Sequence, residues 1–188
     1  MIGPGSSIDL PAPEDDGAAD HLPGAPLPGI ELPATDGRRI RLDELPPRAV
    51  VFVYPAIGGP GREELLDEWT AIPGARGCTP EACSFRDELG GFEAQGFAVF
   101  GLSSQSSSSQ RQHVEELPLP YPLLSDEQLR LSASPGLPTF DFQGCRYFKR
   151  LTLVVVEAII EAALYPVFPP DRGAAQALAW LREHPHAA

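Results

Sequence analysis

Apolar and polar positions along the chain fall into short runs of different period. Ile30-Glu31-Leu32 and Arg39-Ile40-Arg41-Leu42 alternate on either side of Asp36-Gly37, which predicts a β-hairpin. Ala49-Val50-Val51-Phe52-Val53-Tyr54 is continuous in β-branched and aromatic residues, as expected for a central strand buried on both faces. Phe97 to Leu102 predicts a second buried strand, and Leu123 to Asp126 a short strand with a turn. Leu151 to Val156 and Ile159 to Val167 predict a second hairpin, turning through Glu157-Ala158.

Helical spacing appears between these runs. A polar scrap covers Arg62 to Glu68, after a loop containing Pro55, Gly58, Gly59, Pro60 and Gly61. Thr79-Pro80-Glu81 reads as a helix start, with a capping hydroxyl, a proline in the first turn and an acid near the positive end of the dipole. That helix is expected to run through Cys83, Phe85, Leu89 and Phe92, interrupted by Gly90-Gly91. The serine run from Ser103 to Ser109 is expected to be a polar loop capping a helix from Gln110 to Leu117. The last helix is expected from Asp171, with Ala175, Leu178, Ala179 and Leu181 as its apolar face. Strands alternate with helices and then a hairpin and a helix close the chain. The class is therefore α/β, with a central mixed sheet flanked by helices on both faces. Residues 1–20, rich in Gly, Ser, Pro, Asp and Ala, read as a flexible N-terminal leader. Residues 21–188 read as one domain.

Composition narrows the function. Of 188 residues, 43% are hydrophobic, enough for a full core, and the net charge is -12. Such an acidic chain is repelled by nucleic acid and anionic membranes, so neither is expected as a partner. The most apolar stretch is interrupted by Glu157 and Glu161 and is too short to span a bilayer. No secretory signal is visible at the start, and a cytoplasmic location is expected. Three cysteines do not make a disulfide scaffold. Zinc is not expected, because His21, His113, His184 and His186 are scattered.

The chemistry concentrates in Arg76-Gly77-Cys78-Thr79-Pro80-Glu81-Ala82-Cys83-Ser84-Phe85-Arg86-Asp87. Cys78 is expected at the mouth of a helix beyond the carboxyl end of a strand, where α/β sheets place ligands. Unpaired N–H groups and the positive helix end favour thiolate, the reactive form, and Arg76 adds charge. Such a sulfur is expected to be accessible, with a depressed pKa. Cys83 lies five residues on. If both are helical, their Cα atoms are roughly 8–9 Å apart, beyond the limit of about 7 Å for a disulfide. Bonding would therefore require the first turn to unwind. Spacing alone leaves a second reading open, with Cys83 a small core hydrophobe and Cys78 incidental.

A family resemblance adds to this. Tyr54-Pro55, the cysteine segment from Gly77 to Asp87, Phe100-Gly101-Leu102-Ser103 and Tyr121-Pro122-Leu123-Leu124-Ser125-Asp126 together resemble a peroxiredoxin of the bacterioferritin-comigratory-protein, or Q-type, branch, over residues 22–184. The resemblance implies a thioredoxin-like fold and a thiol-dependent peroxidase acting on hydrogen peroxide and organic hydroperoxides. By it, Cys78 is the peroxidatic cysteine, Cys83 the resolving one, and a thioredoxin-type dithiol the reductant. It implies no metal, flavin or haem cofactor. A monomer or weak homodimer is expected. Arg150, just ahead of a late strand, matches the arginine that holds the thiolate and polarises the peroxide.

Two departures stand out. The family's Pro-x-x-x-Thr-x-x-Cys pattern is missing, with Ala71 and Ala75 at its Pro and Thr positions. The loop before Cys78 is also extended by Trp69-Thr70-Ala71-Ile72-Pro73. Thr70, Thr79 or a backbone N–H is expected to replace the lost donor. Cys145 has no partner nearby in sequence and is read as structural or incidental, with alternative resolution as its rival role. Trp69 and Trp180 are read as packing residues. The alternative to an enzyme is a redox-sensing or binding module on the same fold, with weak peroxidase activity.

Overall fold

The continuous apolar runs do become the inner strands of a sheet. The computed structural model describes residues 10–185. In chain order, β1 (Glu31–Pro33) and β2 (Arg39–Arg41) form the first hairpin, and β3 (Arg48–Val53) follows a single 3-10 turn. Next come α1 (Leu66–Thr70), α2 (Cys78–Asp87), α3 (Leu89–Glu93) and β4 (Ala98–Ser103). Then follow α4 (Ser107–Glu116), β5 (Leu123–Ser125), α5 (Arg130–Ala133), β6 (Thr139–Phe142) and β7 (Cys145–Phe148). The chain closes with β8 (Leu151–Val156), β9 (Ile159–Leu164) and α6 (Gly173–Glu183).

The main sheet has the order β5-β4-β3-β8-β9. Its first three strands are parallel, and β8 and β9 run antiparallel to their neighbours. The mixed α/β sheet matches the expected class. Period-two alternation within β3 sends its side chains to two cores. Val50 and Phe52 meet Phe85 and Phe92 of α2 and α3 and Leu178 of α6. Val51 and Val53 meet Leu22, Leu32, Leu42 and Leu131 on the other face. That face is covered by the N-terminal segment, the β1–β2 hairpin and the short α5 rather than by long helices. Burying each of these large side chains contributes about 1.5–3 kcal/mol.

Several boundaries differ from the sequence reading. The turn at Glu157-Ala158 has both residues at positive φ, 48° and 61°, the geometry that matches strand twist. β9 stops at Leu164, not Val167, because Pro166 has no N–H for the ladder. The break in the cysteine helix falls at Glu88, and Gly90 and Gly91 lie inside α3. A side chain on Gly91 would press on Leu178 at 3.1 Å, so the glycine allows α3 to close on α6. α4 begins at Ser107 because Ser106 accepts from the Ser109 N–H at 3.2 Å. The last helix is preceded by a 3-10 turn over Pro170–Arg172.

The β6–β7 hairpin was not anticipated. It turns through Gln143-Gly144, both at positive φ, and Gln-Gly is a weaker turn signal than Asn-Gly. Residues 1–9, the start of the expected leader, lie outside the described residues. Residues 10–20 are held against the body rather than free. Asp16 accepts from Lys149 Nζ at 2.5 Å and from Tyr165 Oη at 2.7 Å, and Ala19 is buried. Those bonds, the one from Lys149 first, hold the Asp16 carboxyl down at about 2. Among the described residues no helix is long and apolar enough to cross a membrane.

Candidate active site

α2 begins two residues earlier than a cap at Thr79 would place it. Gly77 caps it at φ +105°, and a Cβ there would lie 2.5 Å from Pro170 Cγ. Only glycine fits that conformation and that contact. Gly77 O accepts the first helical bond, from Glu81 N at 3.1 Å. Cys78 is therefore the first helical residue, with its sulfur at the positive end of the helix. Thr79 lies one residue inside, exposed, and is not the cap.

Arg150 reaches the same point from the sheet. The β3–β8 register pairs Val53 with Leu151, so Arg150 continues the ladder beside Tyr54. Its Nη2 donates to Cys78 Sγ at 3.1 Å, to Arg76 O at 3.2 Å and to Ala75 O at 3.4 Å. Its Nη1 donates to Glu81 Oε2 in a buried ion pair. The backbone N–H of Ala56 also hydrogen-bonds the sulfur. A backbone N–H, one of the three donors expected in place of the family threonine, thus reaches the sulfur alongside Arg150. Thr70 is not at the sulfur: its hydroxyl donates to Leu66 O at 2.7 Å and accepts from Arg76 Nη1 at 2.8 Å. No hydrogen bond from Thr79 to the sulfur is present, so neither threonine replaces the lost donor.

The expectation of an accessible sulfur with a depressed pKa needs correcting for this form. Cys78 is 3% exposed. Burial pushes its thiol up, Arg150 pulls it down, and the Glu81 carboxylate pushes it up again. Glu81 is 0% exposed, and burial raises it to about 7 against the pull of Arg150. One guanidinium thus faces two acids, and it matches one negative charge. The titrations belong to the pair, and ionising Cys78 is favoured when Glu81 holds a proton. Read along the chain, Glu81 is only a helix-start acid; an acid within the first turn of a cysteine-bearing helix is the signal that points to it. Tyr54 was quoted only as a motif residue, yet its buried ring neighbours Cys78, and its hydroxyl accepts from Gln110 Nε2 at 3.1 Å.

A direct expectation follows. Glu81→Gln removes the carboxylate that opposes the thiolate and should lower the pH midpoint of Cys78 ionisation. The pH profile of thiolate absorbance or alkylation rate measures this, and an unchanged or higher midpoint would refute it.

Above the sulfur lies a cleft of about 870 Å³. Its wall includes Trp69, whose extended loop packs on the β6–β7 hairpin. The Trp69 ring lies 5.7, 5.3 and 4.9 Å from those of Phe140, Phe142 and Tyr147. The extra loop residues thus build a small aromatic core beside the site, and Trp69 is a packing residue as expected.

Comparison with known proteins bears on this arrangement. Residues 70–156 match the model of the AhpC/TSA family. Peroxiredoxin Q of chloroplasts from Suaeda salsa is 28% identical over 160 residues, spanning 85% of this chain and 67% of that protein. The crystal structure of the peroxidoxin BcpB from Mycobacterium tuberculosis superposes with a TM-score of 0.69 at 30% identity, covering 86% of this chain and 97% of that one. The chain is a Q-type peroxiredoxin. This gives it a thioredoxin-like fold and places it among the thiol peroxidases. A bacterioferritin comigratory protein from Xanthomonas campestris, studied for alkyl peroxide reduction, has a TM-score of 0.64 at 19% identity over 97% of this chain and 100% of its own. At that identity the likeness is one of fold.

In this peroxiredoxin all three cysteines are free. Cys83 is half-buried within α2, near Arg86 and Tyr121. Tyr121 Oη donates to Ala82 O at 2.6 Å, and Arg86 Nη1 to Leu117 O at 2.9 Å. These bonds brace the middle of α2, whereas its first turn is tied through Cys78 and Glu81 to Arg150. Cys145 is exposed at the start of β7. Trp180 stacks on His184 at the end of α6, with ring centroids 4.1 Å apart. No cluster of three or more His, Cys, Asp and Glu able to hold a metal is present among the described residues.

Proposed function

We propose that this peroxiredoxin reduces hydrogen peroxide and organic hydroperoxides with Cys78 as the peroxidatic sulfur. Cys83 resolves it, and a thioredoxin-type dithiol in a reducing, cytoplasmic setting restores both thiols. The observation that carries the proposal is the Arg150 Nη2 donor 3.1 Å from Cys78 Sγ, at the floor of an open cleft.

The Cys78 thiolate attacks the terminal oxygen of ROOH. An S–O bond forms as the O–O bond breaks, and the electron pair leaves on the RO oxygen, which takes a proton and departs as alcohol, or as water when R is hydrogen. Sulfur is oxidised by two electrons to sulfenic acid as the peroxide is reduced. Negative charge moves from sulfur to oxygen during this step. Arg150 and the Ala56 N–H, fixed before reaction, stabilise it without reorganising. Cys83 thiolate then attacks the sulfenic sulfur, an S–S bond forms, and hydroxide leaves and is protonated to water. The reductant's two thiols give up two hydrogens, become a disulfide and return Cys78 and Cys83 to thiols.

Resolution requires movement. Both cysteines lie in α2, and helical positions five apart put their Cα atoms roughly 8–9 Å apart. The first turn of α2 must unwind, taking Glu81 away from Arg150. After one equivalent of hydroperoxide, peptide mapping should find Cys78 linked to Cys83, and amide exchange should show lost protection over residues 78–84. Thioredoxin should reverse both. A Cys78–Cys145 link would overturn the assignment of Cys83, and unchanged protection would overturn the unwinding. Oxidation of Cys78 no faster than a free thiol would instead favour a redox-sensing module.

A further inference from the structure

We infer that Ser103 and Gln105 are positioning residues that aim the Ala56 N–H at the Cys78 sulfur. The inference rests on the peroxidase reading above and concerns how one of its two donors is held.

The segment after β3 leaves the sheet. Pro55 has no N–H for the ladder, and the last bond between β3 and β4 runs from Tyr54 N to Leu102 O at 3.0 Å. Pro55, Ala56 and Ile57 are nonetheless all buried, and buried backbone polar groups need partners. Each group has one. Ser103 Oγ donates to Pro55 O at 2.9 Å. The Ala56 N–H bonds the Cys78 sulfur, and Ala56 O accepts from Gly59 N at 3.3 Å. Ile57 N donates to Gln105 Oε1 at 2.8 Å, and Ile57 O accepts from Gln105 Nε2 at 3.0 Å.

Peptide geometry turns these bonds into an aim. Pro55 O and the Ala56 N–H belong to one trans peptide unit, in which C=O and N–H lie in a plane and point opposite ways. Holding the oxygen on Ser103 therefore points the hydrogen at the sulfur. The same bond polarises the unit and strengthens its N–H as a donor. Gln105 fixes the other end. Its amide pairs with both polar groups of Ile57, as a neighbouring strand would, and so resists rotation of the segment about Ala56.

The clamp is itself anchored. Gln105 N donates to Ser103 Oγ at 3.1 Å, and Ser125 Oγ donates to Gln105 O at 2.6 Å. Ser103 and Ser125 are paired at the ends of β4 and β5, so the sheet sets the position. The start of the serine run thus reaches the site from a different strand than Arg150 does. Charge gives this donor weight. Arg150 divides one positive charge between Cys78 and Glu81, whereas the Ala56 N–H favours the thiolate without adding charge. Hydrogen bonds weaken steeply with misalignment, so a small rotation of this peptide costs the sulfur its second donor.

Gln105→Met keeps the length of the side chain and removes both bonds to Ile57. It should raise the pH midpoint of Cys78 ionisation. It should also slow single-turnover oxidation by hydrogen peroxide roughly tenfold, short of the roughly 10²–10³-fold for a donor removed outright. Part of that loss should persist well above the midpoint, where the sulfur is all thiolate, because the aimed donor also acts in the transition state. Ser103→Ala should do the same, and Ser103→Thr, which keeps the hydroxyl, should restore both readouts. Ser106→Ala is the stability control. It removes the α4 cap and should lower the melting temperature while leaving midpoint and rate at parent values. A merely structural clamp predicts lower melting temperatures in Gln105→Met and Ser103→Ala with an unmoved midpoint. That result, or a midpoint moved as far by Ser106→Ala, would overturn the inference. If Ser103→Ala does not fold, the half-buried Gln105 decides the matter. If parent Cys78 reacts no faster than a free thiol, the peroxidase reading falls and takes the inference with it. If the parent is fast and Gln105→Met matches it in rate and midpoint, only the positioning role falls.

Discussion

Replacing Arg150 with methionine should slow Cys78 oxidation by roughly 10²–10³-fold and destabilise the protein by about 3–5 kcal/mol. The rate effect follows from losing the guanidinium donor that sits 3.1 Å from the sulfur, where charge moves during O–O cleavage. The stability effect has a different origin. The Arg150 and Glu81 side chains are 1% and 0% exposed, so removing one leaves the other charge buried and unmatched. Glu81 would then hold its proton to higher pH than its present value of about 7. A carboxyl whose folded pKa is raised stabilises the fold below its unfolded value, near 4.5, and loses that contribution as pH rises through the folded one. The deficit of the variant should therefore be smaller at pH 5 than at pH 8. Adding Glu81→Gln to Arg150→Met should recover most of the stability but little of the rate. Denaturant unfolding at two pH values and stopped-flow oxidation measure these separately. A double variant that regained the parent rate would show that Arg150 serves only the fold.

Cys78→Ser should reduce peroxide turnover to background, because the serine hydroxyl cannot accept oxygen to form a species that thiols later reduce. Its fold should persist, since the change is nearly isosteric and Arg150 keeps Glu81 and the Ala75 and Arg76 carbonyls as partners. Cys83→Ser separates the two half-reactions. The first oxidation should stay within about twofold of the parent, while steady-state turnover with thioredoxin falls about tenfold or more as recycling is diverted to an external thiol. Cys145→Ser should change neither. Unaltered multi-turnover rates in Cys83→Ser would remove Cys83 from the cycle, whereas rates lost only in Cys145→Ser would transfer the resolving role.

Much of this was legible in the chain. The central strands carry long apolar runs, and continuous burial on both faces leaves few alternatives to an inner-strand assignment. The cysteine helix announced itself through Thr79-Pro80-Glu81, although Gly77, free to take positive φ, moved its start back to Cys78. The β6–β7 hairpin escaped notice because four-residue strands give too few periods to read, and its reason for existing, the contact with Trp69, lies some seventy residues away in sequence. The leader's attachment was equally invisible, since the pairing of Asp16 with Lys149 spans 133 positions.

Local spacing and short motifs determined the α/β class, the five strands of the main sheet and the helix that carries both cysteines. The family resemblance added Arg150 as a candidate. Only the tertiary structure decided that Cys78 is buried, that Glu81 shares Arg150 with it, and that among Thr70, Thr79 and a backbone N–H it is the Ala56 N–H that reaches the sulfur. These are facts about desolvation and charge balance at one point in space. Segments from β3, the extended loop, α2 and the start of β8 meet there, and no pattern along a single segment encodes their meeting.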